Sequence, residues 1–351
     1  MPEQKVEDIL LHARQQNASD VHLSVGAPVM LRRFGDFKPA AEEPLTGERI
    51  NKLLAAFVPP EKWKLAQQTG DLEYVHVIPE AGRFRVVISR QRFGWDLTAR
   101  LIDIKIRTFA ESGMPKVCEG LLKWAQGLVL IAGPAGCGKT STLATLIEMI
   151  NQTRDEHIIT IENPIEVVFD PKKCQVSQRE INLHTLSSAN ALRAALREDP
   201  DIIVVSELRD LETIRLAVTA AETGHLVFGT MNTNDAAQTV TSLINSYSPD
   251  EQPIVRRMVA ESLRGVICQR LIPRADGKGV VPAYEILIMT LAASALIKSD
   301  RSRQLNNFIT TGKRDGMVLL DTSLEELVRQ HVITSQEAAK HAINPKLFKN
   351  A

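Results

Sequence analysis

Residues 133–140 read Gly-Pro-Ala-Gly-Cys-Gly-Lys-Thr, which fits the spacing G-x-x-x-x-G-K-[ST]. Glycines let backbone N–H groups close around phosphate oxygens, and a helix N-terminus behind them adds partial positive charge. At this spacing Lys139 reaches the β- and γ-phosphates and the Thr140 hydroxyl ligates Mg²⁺. An apolar run, Leu128–Ile131, precedes the motif, and Leu143, Leu146, Ile147 and Ile150 follow it at helical spacing. Strand, glycine loop and helix are the context that this phosphate-loop motif requires. The expected ligands are ATP and Mg²⁺, with Gly133, Pro134, Ala135, Gly136, Cys137, Gly138, Lys139, Thr140 and Ser141 around the nucleotide.

Two further apolar runs end in acids. Residues 157–161, HIITI, deliver Glu162-Asn163-Pro164-Ile165-Glu166, and DIIVVSE leads through Ile202–Val205 to Glu207. Acids at the exits of core strands downstream of a phosphate loop orient the attacking water or assist Mg²⁺. Metal ligation is therefore assigned to Thr140 and Glu207, although Ser206 stands directly after the second run. Gly224-His225 precedes a further strand, LVFGTM, and Asn232-Thr233-Asn234-Asp235 caps the helix after it.

These motifs need a scaffold. Strands interleaved with helices, including SSANALRAALRED capped by Ser187 or Ser188 and a helix over 210–222, predict an α/β domain with a parallel, doubly wound sheet. Such sheets bind ligands at the carboxyl ends of their strands. Residues 236–272 read as amphipathic helix, VVPAYEILIMT as a last strand, and 291–345 as short helices capped at Thr322-Ser323 and Thr334-Ser335. The stripes of this tail are assigned to core and subunit contacts.

Upstream, Val6, Ile9, Leu10 and Ala13 mark a helix, and Val21, Leu23 and Val25 alternate as a strand. Val29–Leu31 resumes a strand, Gly35-Asp36 predicts a hairpin turn, and Thr46–Phe57 a helix that Pro59-Pro60 terminates. Strands follow at 72–78, 83–90 and 97–104. The expected division is a small α+β domain over 1–105, a linker at 106–115, an ATPase domain over 116–290 and a helical region over 291–351. Arg83, Arg85, Arg90, Arg92 and Arg100 crowd two adjacent strands. Alternation places Arg83 and Arg85 on one face and Arg90, Arg92 and Arg100 on the other. They form either a solvated sheet face or a set of permanently charged forks that reach a phosphate.

Composition narrows the partners. Lys+Arg and Asp+Glu each number 42, so the net charge is zero and gives no electrostatic case for a nucleic-acid or anionic-membrane partner. No run approaches the roughly 18 apolar residues of a membrane span. The start, MPEQKVEDILLHARQQ, lacks a signal-peptide core. Cys118, Cys137, Cys174 and Cys268 are scattered without C-x-x-C spacing and are read as reduced cytosolic thiols.

With these segments in hand, the sequence resembles the secretion-ATPase superfamily, most closely the PilT-type retraction motors of type IV pili. The resemblance is carried by SDVHLSVGAPVMLR, GRFRV, RQR, GPAGCGKTSTLATLIEMIN, ITIENPIE, ALRAALREDPDIIVVSELRDLETI and AAETGHLVFGTMNTNDAA. It implies a PAS-like N-terminal domain, a RecA-like ATPase domain, and a homo-hexamer on the cytoplasmic side of the inner membrane. That ring would work on a membrane platform protein, without inserting into the bilayer and without nucleic acid. Paralogous ATPase subunits are further partners that it allows.

By position, the resemblance implies Glu166 as general base, Glu162 as the other acid of the Asp box, Glu207 as the Walker B glutamate and His225 as the first His-box residue. Arg90, Arg92 and Arg100 become the arginines that engage phosphates. The chain departs from the family pattern at Asn163 (usually Asp), Ser206 (usually Gly), Asn232 (usually the second His of its box) and ALIKSD, where retraction motors carry AIRNLIRE. These departures motivate an alternative, an ATP-binding regulatory subunit with weak or no turnover.

Overall fold

The computed structural model describes residues 5–33, 36–79, 82–102 and 105–348. The chain divides into two compact units, Met1–Lys105 and Ile106–Ala351.

In the first unit, strands β1 (Asp20–Leu23), β2 (Met30–Arg33), β3 (Asp36–Pro39), β4 (Asp71–Ile78), β5 (Gly82–Gln91) and β6 (Gly94–Ile102) form a sheet in the order β3-β2-β1-β6-β5-β4. Its apolar face, with Leu23, Phe84, Ile88 and Leu97, shares a core with Leu10, Ile50 and Leu54 of the helices Val6–Gln15 and Gly47–Phe57. Thr46 caps the second of these helices by accepting from Arg49 N at 3.2 Å. The helix ends at Phe57, ahead of Pro59-Pro60 as expected, and Pro60 has a second role. It opens a third helix, Pro60–Thr69, because proline at the first helical position gives up only an N–H that has no intrahelical partner. The turn expected at Gly35-Asp36 falls partly outside the described residues.

The arginine faces also need correction. Arg85 pairs directly with Arg100 across β5 and β6, so those two share a face with Arg83, and Arg90, paired with Trp95, is on the opposite one. The hairpin between the strands resets parity, and counting along the chain cannot anticipate that.

The second unit is built on β7 (Gly127–Ala132), β8 (His157–Glu162), β9 (Gln175–Glu180), β10 (Ile202–Val205), β11 (Leu226–Met231), β12 (Leu263–Pro273) and β13 (Val280–Ile288). They lie in the order β13-β12-β7-β11-β10-β8-β9. Neighbours are parallel except β12 and β13, so the expected parallel sheet carries one antiparallel strand at its edge. Alternate residues feed two cores. Leu128, Leu130, Ile203 and Val205 face the helices Leu211–Glu222, Ala236–Asn245 and Gln252–Ser262, while Val129, Ile131, Ile202 and Val204 face the helix Lys139–Thr153. Burial on both faces is why these strands read as unbroken apolar runs.

The same physics hides β12. Its sequence, LRGVICQRLIP, lacks period-two alternation because it is buried between β7 and β13, and the stretch 263–272 expected as helix is strand. The segment between Glu166 and the helix Ser188–Ala195 contains β9. In the tail, Leu320, Leu324, Ile333, Ala338 and Phe348 pack on Ile272 and Ala283 of the sheet. Thr334 caps Ser335–His341 as expected, whereas Thr322 and Ser323 lie within the helix Leu320–Arg329.

One buried acid sets a stability prediction. Glu285 of β13 is 2% exposed and accepts from Ala236 N at 2.9 Å. Burial pushes its carboxyl up to about 7, with the Asp235 charge adding to the rise and Arg270 opposing it. An acid whose folded pKa is raised gives stability below its ordinary pKa near 4.5, and that stability is lost as pH rises through about 7. Glu285→Gln keeps the acceptor and removes the penalty, so its advantage in stability should grow between pH 5 and pH 8, toward at most about 3 kcal/mol, and be read as a widening difference in melting temperature. A constant offset across that range would mean Glu285 stays ionised throughout.

Candidate active site

Strand β7 ends at Ala132, and the chain turns through Gly133 at φ 149°. A Cβ there would lie 2.4 Å from the Gln269 carbonyl oxygen, so no other residue fits. Gly138, at φ 89°, opens the helix Lys139–Thr153, and a Cβ on it would meet Gln269 Nε2 at 2.9 Å. Gln269 of β12 is the brace of this loop. Its Nε2 donates to Cys137 O at 2.7 Å, and its Oε1 accepts from the Thr142 hydroxyl. Sequence reasoning missed Gln269 because its strand was read as helix.

Lys139 Nζ donates to Gly133 O at 2.8 Å, Pro134 O at 3.0 Å and Asn232 Oδ1 at 2.8 Å. The same Asn232 amide donates from Nδ2 to Glu207 Oε1 at 2.5 Å. The parallel register aligns these groups, since Met231 is level with Ala132, and Val205 with Ile161 and Gly229. Gly133, Glu162, Glu207 and Asn232 therefore crowd the carboxyl edge of the sheet. Thr140 and Glu162 line one small cavity of about 30 Å³ together with Thr160, Ser206 and Thr230.

Glu162 is 8% exposed, and its Oε1 accepts from Thr160 Oγ1 at 2.7 Å and Gln178 Nε2 at 2.9 Å. Burial pushes its carboxyl up to about 6, the two hydrogen bonds pull it down, and the charges of Glu166 and Glu180 raise it further. Glu166 follows the cis Asn163–Pro164 bond and is partly exposed. Glu180 Oε2 accepts from Ile165 N at 3.0 Å and so anchors this segment. Gln178 and Glu180 belong to β9, an element that no motif marks.

Two groups of expected site residues do not belong to this sheet edge. His225 immediately precedes β11, whereas Asn232 follows it, which puts the histidine at the opposite sheet edge, on the order of 20 Å away along the strand. Its Nδ1 lies 3.0 Å from Ala220 O, a local tie to the preceding helix. Arg90, Arg92 and Arg100 lie in the first unit. Arg100 Nε donates to the buried Asp20 at 2.8 Å, while Arg90 and Arg92 stand over the Trp95 and Phe93 rings at 6.0 and 5.3 Å. Among the described residues no group of three or more His, Cys, Asp or Glu could hold a metal alone, and no helix is long and apolar enough to cross a membrane.

A braced glycine loop at a helix N-terminus, a lysine within it and acids on neighbouring parallel strands define a P-loop ATPase. Comparison with known proteins carries the assignment further. The sequence pattern of the type II/IV secretion system protein family matches residues 67–349, and the chain belongs to that family.

The type IV pilus retraction ATPase PilT of Pseudomonas aeruginosa is 42% identical over 98% of this chain and 99% of its own. A twitching motility protein of Neisseria gonorrhoeae is 41% identical over 90% of this chain and 84% of its own. The crystal structure of the pilus retraction motor PilT with bound ADP superposes with a TM-score of 0.87, at 38% identity, covering 98% of both chains. The chain is thus a nucleotide-binding ATPase of the secretion family with a helical C-terminal region.

Proposed function

We propose that this ATPase drives retraction of a type IV pilus, and that it works as a homo-hexameric ring against an inner-membrane platform protein on the cytoplasmic side. The observation that carries the reading is the clustering of Lys139, Glu162 and Glu207 at one sheet edge, in a chain similar to PilT over nearly its whole length. In this reading the loop from Gly133 to Ser141 cradles the phosphates. Lys139 neutralises their charge, and Thr140 and Glu207 would hold Mg²⁺. When bound, the metal would neutralise charge on the phosphates.

Glu166 takes the proton of the attacking water. Glu162, buried and held by two hydrogen bonds, fixes the segment that presents Glu166. Arg90, Arg92 and Arg100 are the arginines assigned to phosphates, with Arg100 on the opposite sheet face from Arg90 and bonded to Asp20. His225, remote from this edge within its own unit, acts away from the chemical step. Closure on ATP and opening after hydrolysis supply the working stroke.

Steady-state ATP turnover, with mass by light scattering in the same buffer, tests this. Turnover from a particle of six 38.9 kDa chains is expected. A ring that binds ATP without turnover would make the protein a regulatory subunit, and a monomer at working concentration would remove the ring.

A further inference from the structure

Asn232 spends both ends of its amide on the site. All three donors of the Lys139 ammonium are occupied, by Gly133 O, Pro134 O and Asn232 Oδ1, while Asn232 Nδ2 holds Glu207 Oε1. A phosphate oxygen that enters the loop must displace at least one of those acceptors. Against a charged oxygen, the neutral amide of Asn232 competes poorly. Losing Lys139 changes what the amide can do for the carboxylate at its other end. The backbone supports this arrangement. Asn232 follows directly on β11, and Leu208 N, next to Glu207, donates to Thr230 O at 2.9 Å, so the two side chains project from tied strands.

We propose that Asn232 is a positioning residue that couples phosphate at Lys139 to the orientation of Glu207. One amide bridges the loop lysine and the metal-side glutamate, so arrival of the phosphate is transmitted to the carboxylate without any proton being moved. A neutral imidazole offers the same pair, one acceptor and one donor, but loses the acceptor when protonated. An asparagine has no proton of its own to gain or lose. The inference rests on the ATPase reading and on the role given there to Glu207.

Two measurements on the full-length protein test it. In turnover, Asn232→Ala should lower kcat about tenfold or more with KM for ATP within about threefold, because the amide acts on the group that orients chemistry. Asn232→His should recover most of kcat at pH 8. In binding of a fluorescent ATP analogue, Asn232→Asp should weaken affinity more than tenfold, since a carboxylate competes for Lys139, whereas Asn232→Ala should bind nearly as well as the parent.

An unchanged kcat in Asn232→Ala, a kcat for Asn232→His no higher than that of Asn232→Ala, or equal affinities of the Ala and Asp variants would each overturn the proposal. A parent protein without turnover would instead overturn the reading of hydrolysis, and the binding comparison would still decide whether Asn232 is linked to Lys139.

Discussion

Lys139→Ala should lower kcat/KM for ATP by about three orders of magnitude or more, with the fold intact. The ammonium sits inside the loop, bonded to Gly133 O and Pro134 O, at the place where the β- and γ-phosphates lie in P-loop enzymes. Hydrogen bonds from a charged donor contribute about 1.5–3 kcal/mol each. Stabilisation of the charge that develops in the transition state adds to that, since removing one such group from a preorganised site typically costs about 10²–10³ in rate.

The loop itself should survive. Gln269 Nε2 still holds Cys137 O, and the glycine conformations are fixed by the close approach of β12. Circular dichroism melting should therefore move little while a coupled ATPase assay falls to background. Turnover at the parent's rate would take the glycine loop out of the mechanism.

What could be read in advance depended on whether a signal was local. The phosphate loop and its strand and helix were readable because each residue type answers to a backbone or charge requirement within about twenty residues of chain. The parallel strands were readable because β7, β8, β10 and β11 are buried on both faces and bounded by turn chemistry. Strand β12 failed for the same reason, since a doubly buried run without alternation is as compatible with helix as with strand. Losing β12 meant losing Gln269, whose role depends on contacts 127 and 132 residues away. Gln178 and Glu180 were lost with β9.

His225 is a different case. It precedes its strand, and ligands gather where parallel strands end, so within its own unit it stands at the far sheet edge. The resemblance supplied it as the first His-box residue, and a motif match carries no information about which end of a strand a residue occupies. Arg100 went to the wrong sheet face because pairing with Arg85 is set by the hairpin register and not by a count along one strand.

Glu166→Gln should bind ATP nearly as well as the parent yet lose about 10²–10⁴ in kcat, the range over which a positioned general base contributes. The substitution is isosteric and keeps hydrogen-bonding capacity, so a loss confined to kcat isolates proton transfer from binding and folding. Three acids compete for the role, and their surroundings separate them. Glu207 is tied to Asn232 and assigned to the metal side. Glu162 is buried, its carboxyl is pushed up to about 6, and its Oε1 already accepts from Thr160 and Gln178.

Glu166 is partly exposed, lies beyond the segment anchored by Glu180, and is near enough to Glu162 for its charge to raise that residue's pKa. The two carboxylates are thus coupled, and that coupling gives the experiment a second readout. With Glu166 neutralised, the Glu162 carboxyl loses one of the charges that raise its pKa, so its titration should move toward lower pH. If Glu166→Gln instead retains full kcat, the base is Glu162 or Glu207, and Glu162→Gln distinguishes them. Abolished turnover in that variant makes the buried acid the base, because Gln at 162 still accepts from Thr160 and Gln178, leaving only the proton acceptor missing.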